Sequence, residues 1–506
     1  MGALLDAFPQ AMALVFDPYT LGVALLATIF GLFVGAMPGL TATMAVALLI
    51  PVTFFIPPVP ALVAIVMSTS MAIFAGDIPG ALLRIPGTPA SAAYADDAYL
   101  LTKQGKGELA LGICLVTSAI GGIFGTIILI VLAPPLADFA LKFSMFEYFW
   151  LVALGLTCAV FVTGNDLLRG IIGLLIGLAV ACVGQDVTAG FPRYTFEVKE
   201  LLSGIDFIPA MVGMFAVSEL MRRVTETEGE ADFAQTKFKS FFTGLWPVLR
   251  KFQFNIWRGN IIGTAIGILP GAGADIAAWI SYSVGKKFSK NPEIFGKGSE
   301  EGLVDAGAAN NSAIAGAWVP ALVFGIPGDS VTAVVIGMLQ MKNIQPGPDI
   351  FTEKPVEMTA LFIAFILANI IMIPLGIAAI RVAAKVLVIQ RAVLLPLILL
   401  FCVVGSFAIN NNSFAIWVML GMGIVAWFME ANEIPIAPAI LGIVLGDMLE
   451  KKFLTSMMQS DGRLMAFVER PIAATLAAIT IAIWLGLAWK AWKGRASSVP
   501  SPLARH

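Results

Sequence analysis

Apolar residues run through this chain in stretches of about 20 or more, the length a helix needs to cross a bilayer. The windows 109–133, 359–380 and 472–489 are uninterrupted examples. Polar positions gather between the stretches, most densely at 222–259, rather than alternating within them as in an outer-membrane barrel. The pattern predicts a broken segment near 20–50, a helix near 60–75 and a re-entrant stretch near 78–93. Helices near 109–133, 145–163, 167–184 and 205–222 follow. The second half is expected to repeat that order, with a polar insert at 286–302.

The breaks carry the stronger signal. GLFVGAMPGLTATM around Pro38-Gly39 is answered by GTAIGILPGAGADIA around Pro270-Gly271, 232 residues on. IPGALLRIPGTPASA around Pro86-Gly87 is answered by VPALVFGIPGDSVTA around Pro327-Gly328 at an offset of 241, which also matches Pro79 to Pro320. A third echo, IPAMVGMF (Pro209, Gly213) against IAPAILGIV (Pro438, Gly442), has an offset of 229. Matched interruptions in two halves of a hydrophobic chain are the mark of a transporter's midplane site. The reading is an all-α polytopic membrane protein of two inverted repeats with broken Pro-Gly helices and roughly 11–13 crossings. Repeat one spans 20–223 and repeat two 259–470. A polar linker at 224–258, with an amphipathic helix around 237–252, separates them, and an extra helix at 472–489 follows.

Composition agrees: 58% of the 506 residues are hydrophobic and 13% are charged, against about 25% charged in soluble domains. A net charge of −2 provides no basic field for nucleic acid. Cys114, Cys158, Cys182 and Cys402 stand singly, and the one histidine is His506, so disulfide, zinc and His-based chemistry lack their residues. No nucleotide or protease signature is present, and the expectation is that the chain is not an enzyme and holds no cofactor. Seven Lys and Arg residues in and immediately before the linker, from Arg222 to Arg258, place it in the cytoplasm, with an acidic N-terminus outside and a basic C-terminus inside.

A helix broken at Pro-Gly exposes N–H groups on one side and carbonyls on the other. The new N-terminus suits a carboxylate, and the carbonyl end suits Na⁺. The candidate substrate-binding residues are therefore Gly39, Thr41 and Thr43; Gly87, Thr88 and Ser91; Gly271 and Gly273; and Gly328, Ser330 and Thr332. Asn310 and Asn311 offer amide oxygens to a cation and N–H groups to a carboxylate, or else an interhelical hydrogen bond. Asp77 and Arg84 either pair on one helix face, or Arg84 grips a substrate carboxylate. Asp77, Asp275 and Asp329 are the candidates for coupling to Na⁺ or H⁺. Glu147, Asp166, Glu219, Glu430 and Asp447 lie nearer segment ends and read as interfacial, and Asn410–Asn412 as a loop.

The stretches GAMPGLTATMAVALLIP, IPGTPASAAYADDAYLLTKQGKGELALG, IGILPGAGADIAAWISY and GKGSEEGLVDAGAANNSAIAGAWVPALVFGIPG resemble the large membrane subunit of the tripartite tricarboxylate transporters. The resemblance runs from about residue 20 to 471. It implies a translocating subunit in a bacterial inner membrane. Its expected partners are a small four-helix membrane subunit and an extracytoplasmic solute-binding protein. The implied substrate is a citrate-like or other organic acid. The family's loops fall on Pro38-Gly39, Pro86-Gly87, Pro270-Gly271 and Pro327-Gly328, and its Asn-rich element on Asn310-Asn311. Asp77, Arg84 and Asp329 stand where smaller or uncharged residues are expected, which bears on the anion accepted. The resulting expectation is a secondary importer of a small organic anion. Its rivals are a gradient-independent pore and a membrane-embedded enzyme.

Overall fold

A computed structural model describes residues 2–37, 40–161, 167–186, 190–225, 244–386 and 391–497. The chain opens with α1 (Gly2–Val15), α2 (Pro18–Ala36) and α3 (Ala42–Phe54), followed by α4 (Pro58–Ala75), which runs on through Gly76 into α5 (Asp77–Leu83). Next come α6 (Ala95–Leu101), the 34-residue α7 (Gly107–Ala140), α8 (Met145–Phe161) and α9 (Leu167–Ala181). The first half closes with α10 (Phe207–Val212), a π turn over Gly213–Val217, and α11 (Ser218–Thr225). The second half begins with α12 (Leu245–Lys251), α13 (Gln253–Gly267), α14 (Gly273–Phe288), α15 (Glu300–Phe324) and α16 (Ser330–Met341). It continues through α17 (Ile350–Glu353), α18 (Pro355–Val386), α19 (Arg391–Asn410) and α20 (Phe414–Ala431). It ends with α21 (Ile436–Gln459), α22 (Ala466–Glu469) and α23 (Pro471–Ser497). Among the described residues the β-structure is one antiparallel pair, Gly184–Gln185 with Pro192–Arg193.

Among the described residues, five continuous helical stretches are long and apolar enough to cross a membrane: 18–36, 58–83, 95–140, 355–382 and 414–431. Shorter apolar helices, α3, α9 and α16 among them, fill the space between. The outside is greasy, with Leu26, Ile29, Val131, Trp417, Phe428 and Leu485 exposed, as lipid contact requires. The protein is a multi-pass membrane protein.

Two helices form the centre. Every residue of α4 from Val59 to Ala75 is buried, and every residue of α15 from Gly302 to Val323. Glycines allow the neighbouring helices to approach them. Gly31 and Gly35 of α2 lie directly on the backbone of Ser68 and Ala72 in α4. Gly259, Gly263 and Gly267 of α13 lie on Asp305, Ala309 and Ala313 of α15, and Gly121 and Gly125 of α7 on Ala308 and Ser312. A methyl group at any of these positions would overlap backbone, the close packing that membrane helices obtain from small residues. Gly173 and Gly177 of α9 do the same against Pro435 and Ala439 of α21.

The sequence reading placed the start of the second interruption too early. Residues 77–83 are helical and extend α4; the break begins at Arg84, which takes the left-handed conformation (φ 60°). That turn ends the helix: the N–H of Arg84 reaches Gly80 O at 3.1 Å and that of Ile85 reaches Pro79 O at 3.4 Å. Gly325, 241 residues later, is left-handed too (φ 68°), and Ile326 N–H bonds Pro320 O at 3.3 Å. The expected helix around 237–252 appears as α12, from Leu245; residues 226–243 lie outside the described residues, as do Pro38, Gly39 and Asp166. An N-terminal helix that sequence patterning did not single out, α1, packs on α18 and α4.

Candidate functional site

Four helices begin at one place. Thr41 caps α3, its hydroxyl accepting the Met44 N–H at 3.2 Å. Asp329 caps α16 through a reciprocal box: its Oδ1 accepts the Thr332 N–H at 2.7 Å, and its own N–H bonds Thr332 Oγ1 at 2.9 Å. α14 starts at Gly273 after a turn in which Gly271 and Gly273 both have positive φ, 79° and 59°. α21 starts after Pro435. The first three starts follow the breaks read from the sequence; the fourth carries the third matched motif.

Between these N-termini lies a cavity of about 260 Å³. Its wall includes Thr41, Thr43, Thr88, Asp275, Asn310, Asp329 and Ser330 from the predicted set. Thr43 and Ser330, from the two halves, share a hydrogen bond of 2.9 Å. Asp275 accepts the Ala90 N–H, and Trp279 Nε1 donates to Pro89 O at 3.2 Å, so α14 holds the Thr88–Ala90 loop at two points.

The predicted glycines support the wall rather than line it. A Cβ on Gly87 would stand 2.6 Å from Gly76 Cα, and one on Gly328 would stand 2.6 Å from Ala317 Cα. Each loop therefore folds back onto its own helix at the residue eleven positions earlier. Ser91 closes a small ring with Thr88, each hydroxyl accepting the other's N–H at 3.1 Å. Thr332 is spent on the α16 cap. Gly39 lies outside the described residues.

Three predicted residues lie away from the cavity. Arg84 and Asp77 do not pair: Arg84 Nε bonds Asp96 Oδ1 at 2.7 Å with both side chains more than half exposed, and Asp77 is buried against Tyr94. Asn311 donates to Met372 Sδ on α18 at 3.7 Å, a packing contact.

The cavity also contains residues that the sequence reading assigned to segment ends. Ser218 and Glu219 enter from the α10–α11 segment, and Glu430 from the end of α20, whose Oε2 is buried without a hydrogen bond. Glu219 is held by Arg222. The available signal was the third matched motif, which brought the π turn after α10 and the start of α21 to this place. Glu147, in contrast, is buried in an ion pair with Arg470 at 2.7 Å. Asp447 pairs with Lys451 at 2.6 Å and lines a second, larger cavity of about 540 Å³ with Arg193, Gln340 and Glu450.

No Lys or Arg stands among the described residues of the smaller cavity wall, against four carboxylates: Glu219, Asp275, Asp329 and Glu430. Hydroxyls, one amide and helix N-termini face those acids. Such a wall offers polar groups to a solute and acids to a cation, and among the described residues it presents no nucleophile paired with a base.

The sequence model of the tripartite tricarboxylate transporter TctA family matches residues 21–441. The chain belongs to this family. It is the large membrane subunit of a tripartite tricarboxylate transporter, a transport protein and not an enzyme. It is 33% identical over 454 residues to the "uncharacterized 52.8 kDa protein in TAR-I ttuC' 3'region" of Agrobacterium vitis, covering 90% of each chain. A second Agrobacterium vitis relative, the "uncharacterized protein in TAR-II ttuC' 3'region", is 36% identical over 214 residues, 42% of this chain and 88% of its own. No solved structure matches. The four Pro-Gly breaks and the Asn310-Asn311 pair all fall inside the matched TctA span.

Proposed function

We propose that this subunit imports a small organic carboxylate by secondary transport with Na⁺ or H⁺, at the 260 Å³ cavity. The observation that carries the proposal is the convergence of four helix N-termini on hydroxyl and amide side chains. Each N-terminus carries about half a positive charge, which favours a carboxylate. Four acids and no base in the wall then make an anion costly unless a cation enters with it, which is the physical basis of coupling. Asp275 and Asp329 are the wall acids that would feel that cation.

Two inverted repeats, 20–223 and 259–470, form the framework of the proposal. Supporting it, α2 packs along α4 as α13 packs along α15, while α7 packs on α15 as α18 packs on α4. Each half thus lends its long helix to the other's centre. With the linker in the cytoplasm, the second cavity faces outward as a vestibule where a solute-binding protein would deliver substrate. α16 and α21 line both cavities, α10 and the π turn after it run from one to the other, and about five residues of α16, roughly 8 Å, separate them. Alternating access would consist of these helices opening one cavity to the other. A small four-helix subunit and a bacterial inner membrane complete the assembly.

The test is uptake of a labelled carboxylate panel into proteoliposomes containing this chain and its small membrane subunit, with the binding protein outside. Accumulation above equilibrium that collapses with one ion gradient is the expected result. Equilibration indifferent to Na⁺ and pH would make the protein a pore and end the proposal.

A further inference from the structure

One hydrogen-bonded chain leads out of the cavity into the protein. Asn310 lines the cavity and is itself fully buried in α15; its Nδ2 donates to the Tyr94 phenol oxygen at 3.1 Å. The Tyr94 hydroxyl donates to Asp77 Oδ1 at 2.6 Å. Both ends are incomplete: Asn310 Oδ1 and Asp77 Oδ2 are buried with no hydrogen-bond partner.

Asp77 is 2% exposed, and among the described residues no Lys or Arg forms an ion pair with it. The groups facing it are the Tyr94 phenol, from the turn before α6, and the Cys114 thiol of α7. The acids of α6 point elsewhere, Asp96 to Arg84 and Asp97 to Tyr282 and to the N–H groups of Gly298 and Ser299. α4 carries no titratable side chain. A permanently ionised carboxylate in such a place costs several kcal/mol, and a structural acid would have both oxygens bonded. A carboxyl that gains and loses a proton meets neither objection.

We propose that Asp77 is the proton-carrying group of this transporter, and that Tyr94 and Asn310 connect it to the substrate cavity. This rests on the transport reading above and names its coupling ion as H⁺. While Asn310 Nδ2 covers the phenol oxygen, Asp77 is cut off from the cavity. A substrate that draws the Asn310 amide toward itself uncovers that oxygen. A protonated water entering the cavity from the acid side then delivers its extra proton to the Tyr94 oxygen as the phenol passes its own to the Asp77 carboxylate, leaving a neutral water behind. One O–H bond breaks at the donor, one forms and one breaks at the Tyr94 oxygen, and one forms at Asp77, so the net change is one proton moved from the cavity to the carboxylate. Release reverses the path when the cavity opens to the other side. Because one amide serves both substrate and phenol, occupancy and protonation are linked, and the linkage is reciprocal.

The experiment compares wild type with Asp77→Asn in the proteoliposomes, reading two quantities: accumulation driven by an acid-outside pH gradient, and exchange of labelled for unlabelled substrate without a gradient. D77N should lose accumulation by roughly tenfold or more, within the range of coupling energies, and keep exchange. Retained pH-driven accumulation in D77N overturns the proposal. So does wild-type accumulation driven by Na⁺ alone, which leaves the carboxylate reading standing. Infrared difference spectra of the membrane-embedded chain, between acid and alkaline pH, test the same group without transport. A protonated-carboxyl band absent from D77N supports the proposal, and no such band overturns it even if the substrate class is wrong. Should D77N fail to reach the membrane, Tyr94→Phe keeps the carboxyl and carries the test. A shifted band with slowed accumulation supports the chain; no change in either overturns it.

Discussion

Arg84 shows how much one backbone angle decides. A charged residue in an apolar segment invites a functional reading, yet here the residue ends a helix in the left-handed conformation that glycine adopts freely. Its guanidinium rests on Asp96 in an exposed pair, which solvent screens and which adds little to stability. The corresponding position in the second half is Gly325. Arg84→Gly should therefore leave stability within about 1 kcal/mol of wild type, the lost pair offset by relief of the left-handed strain of about 1–2 kcal/mol. Arg84→Val should lose about 1–2 kcal/mol more, because a β-branched side chain fits this angle worst. Thermal unfolding in detergent measures both. Uptake by R84G that fell while stability held would return Arg84 to the substrate site.

At the scale of elements, the loops after α5 and α15 are held by backbone contact rather than by side chains. Gly87 lies on Gly76 and Gly328 on Ala317, with no room for a methyl group. Gly87→Ala and Gly328→Ala should each force the loop off its helix at about 1–3 kcal/mol, the range for overpacking. The loop carries Thr88 in one case and Asp329 and Ser330 in the other, so uptake should fall by more than the amount of protein in the membrane. Quantifying membrane-inserted protein beside uptake separates the two effects. Normal uptake from both variants would mark the loops as structural kinks.

For the whole molecule, one of the two central helices, α15, is fixed to its neighbour α13 by a buried ion pair as well as by glycine packing. Asp305 of α15 is fully buried; Arg258 of α13 reaches it through Nε at 3.0 Å and Nη2 at 2.7 Å, and Asn255 adds a third bond at 2.9 Å. Breaking such a pair from one side leaves a bare buried charge, at about 3–5 kcal/mol. Arg258→Ala should destabilise by that order, while Arg258→Met combined with Asp305→Leu should recover much of the loss. Chemical unfolding in detergent of the three variants checks this. A double variant no better than the single one would mean that the pair has a role beyond neutralising charge.

Hydropathy and the local chemistry of Pro and Gly determined the helical membrane architecture and the approximate position of the breaks, and the long stretches around those breaks carried the family resemblance. These are properties of consecutive residues: an apolar run long enough to span lipid, and a missing N–H or a tolerated positive φ where the run is interrupted. Thr41, Thr43, Thr88 and Ser330 were legible as wall residues because each follows a break within a few positions. Only the tertiary structure decided which ionisable groups face the cavity. Arg84 turns away because its left-handed angle redirects the chain, and Asp77 is covered by Tyr94. Glu219 turns inward just after a π turn, which shifts the helical phase so that a 3.6-residue period no longer predicts its direction. Glu430 joins it from a helix more than two hundred residues away. The direction of a side chain depends on how helices rotate against one another, and that rotation is set by the glycine contacts between distant segments.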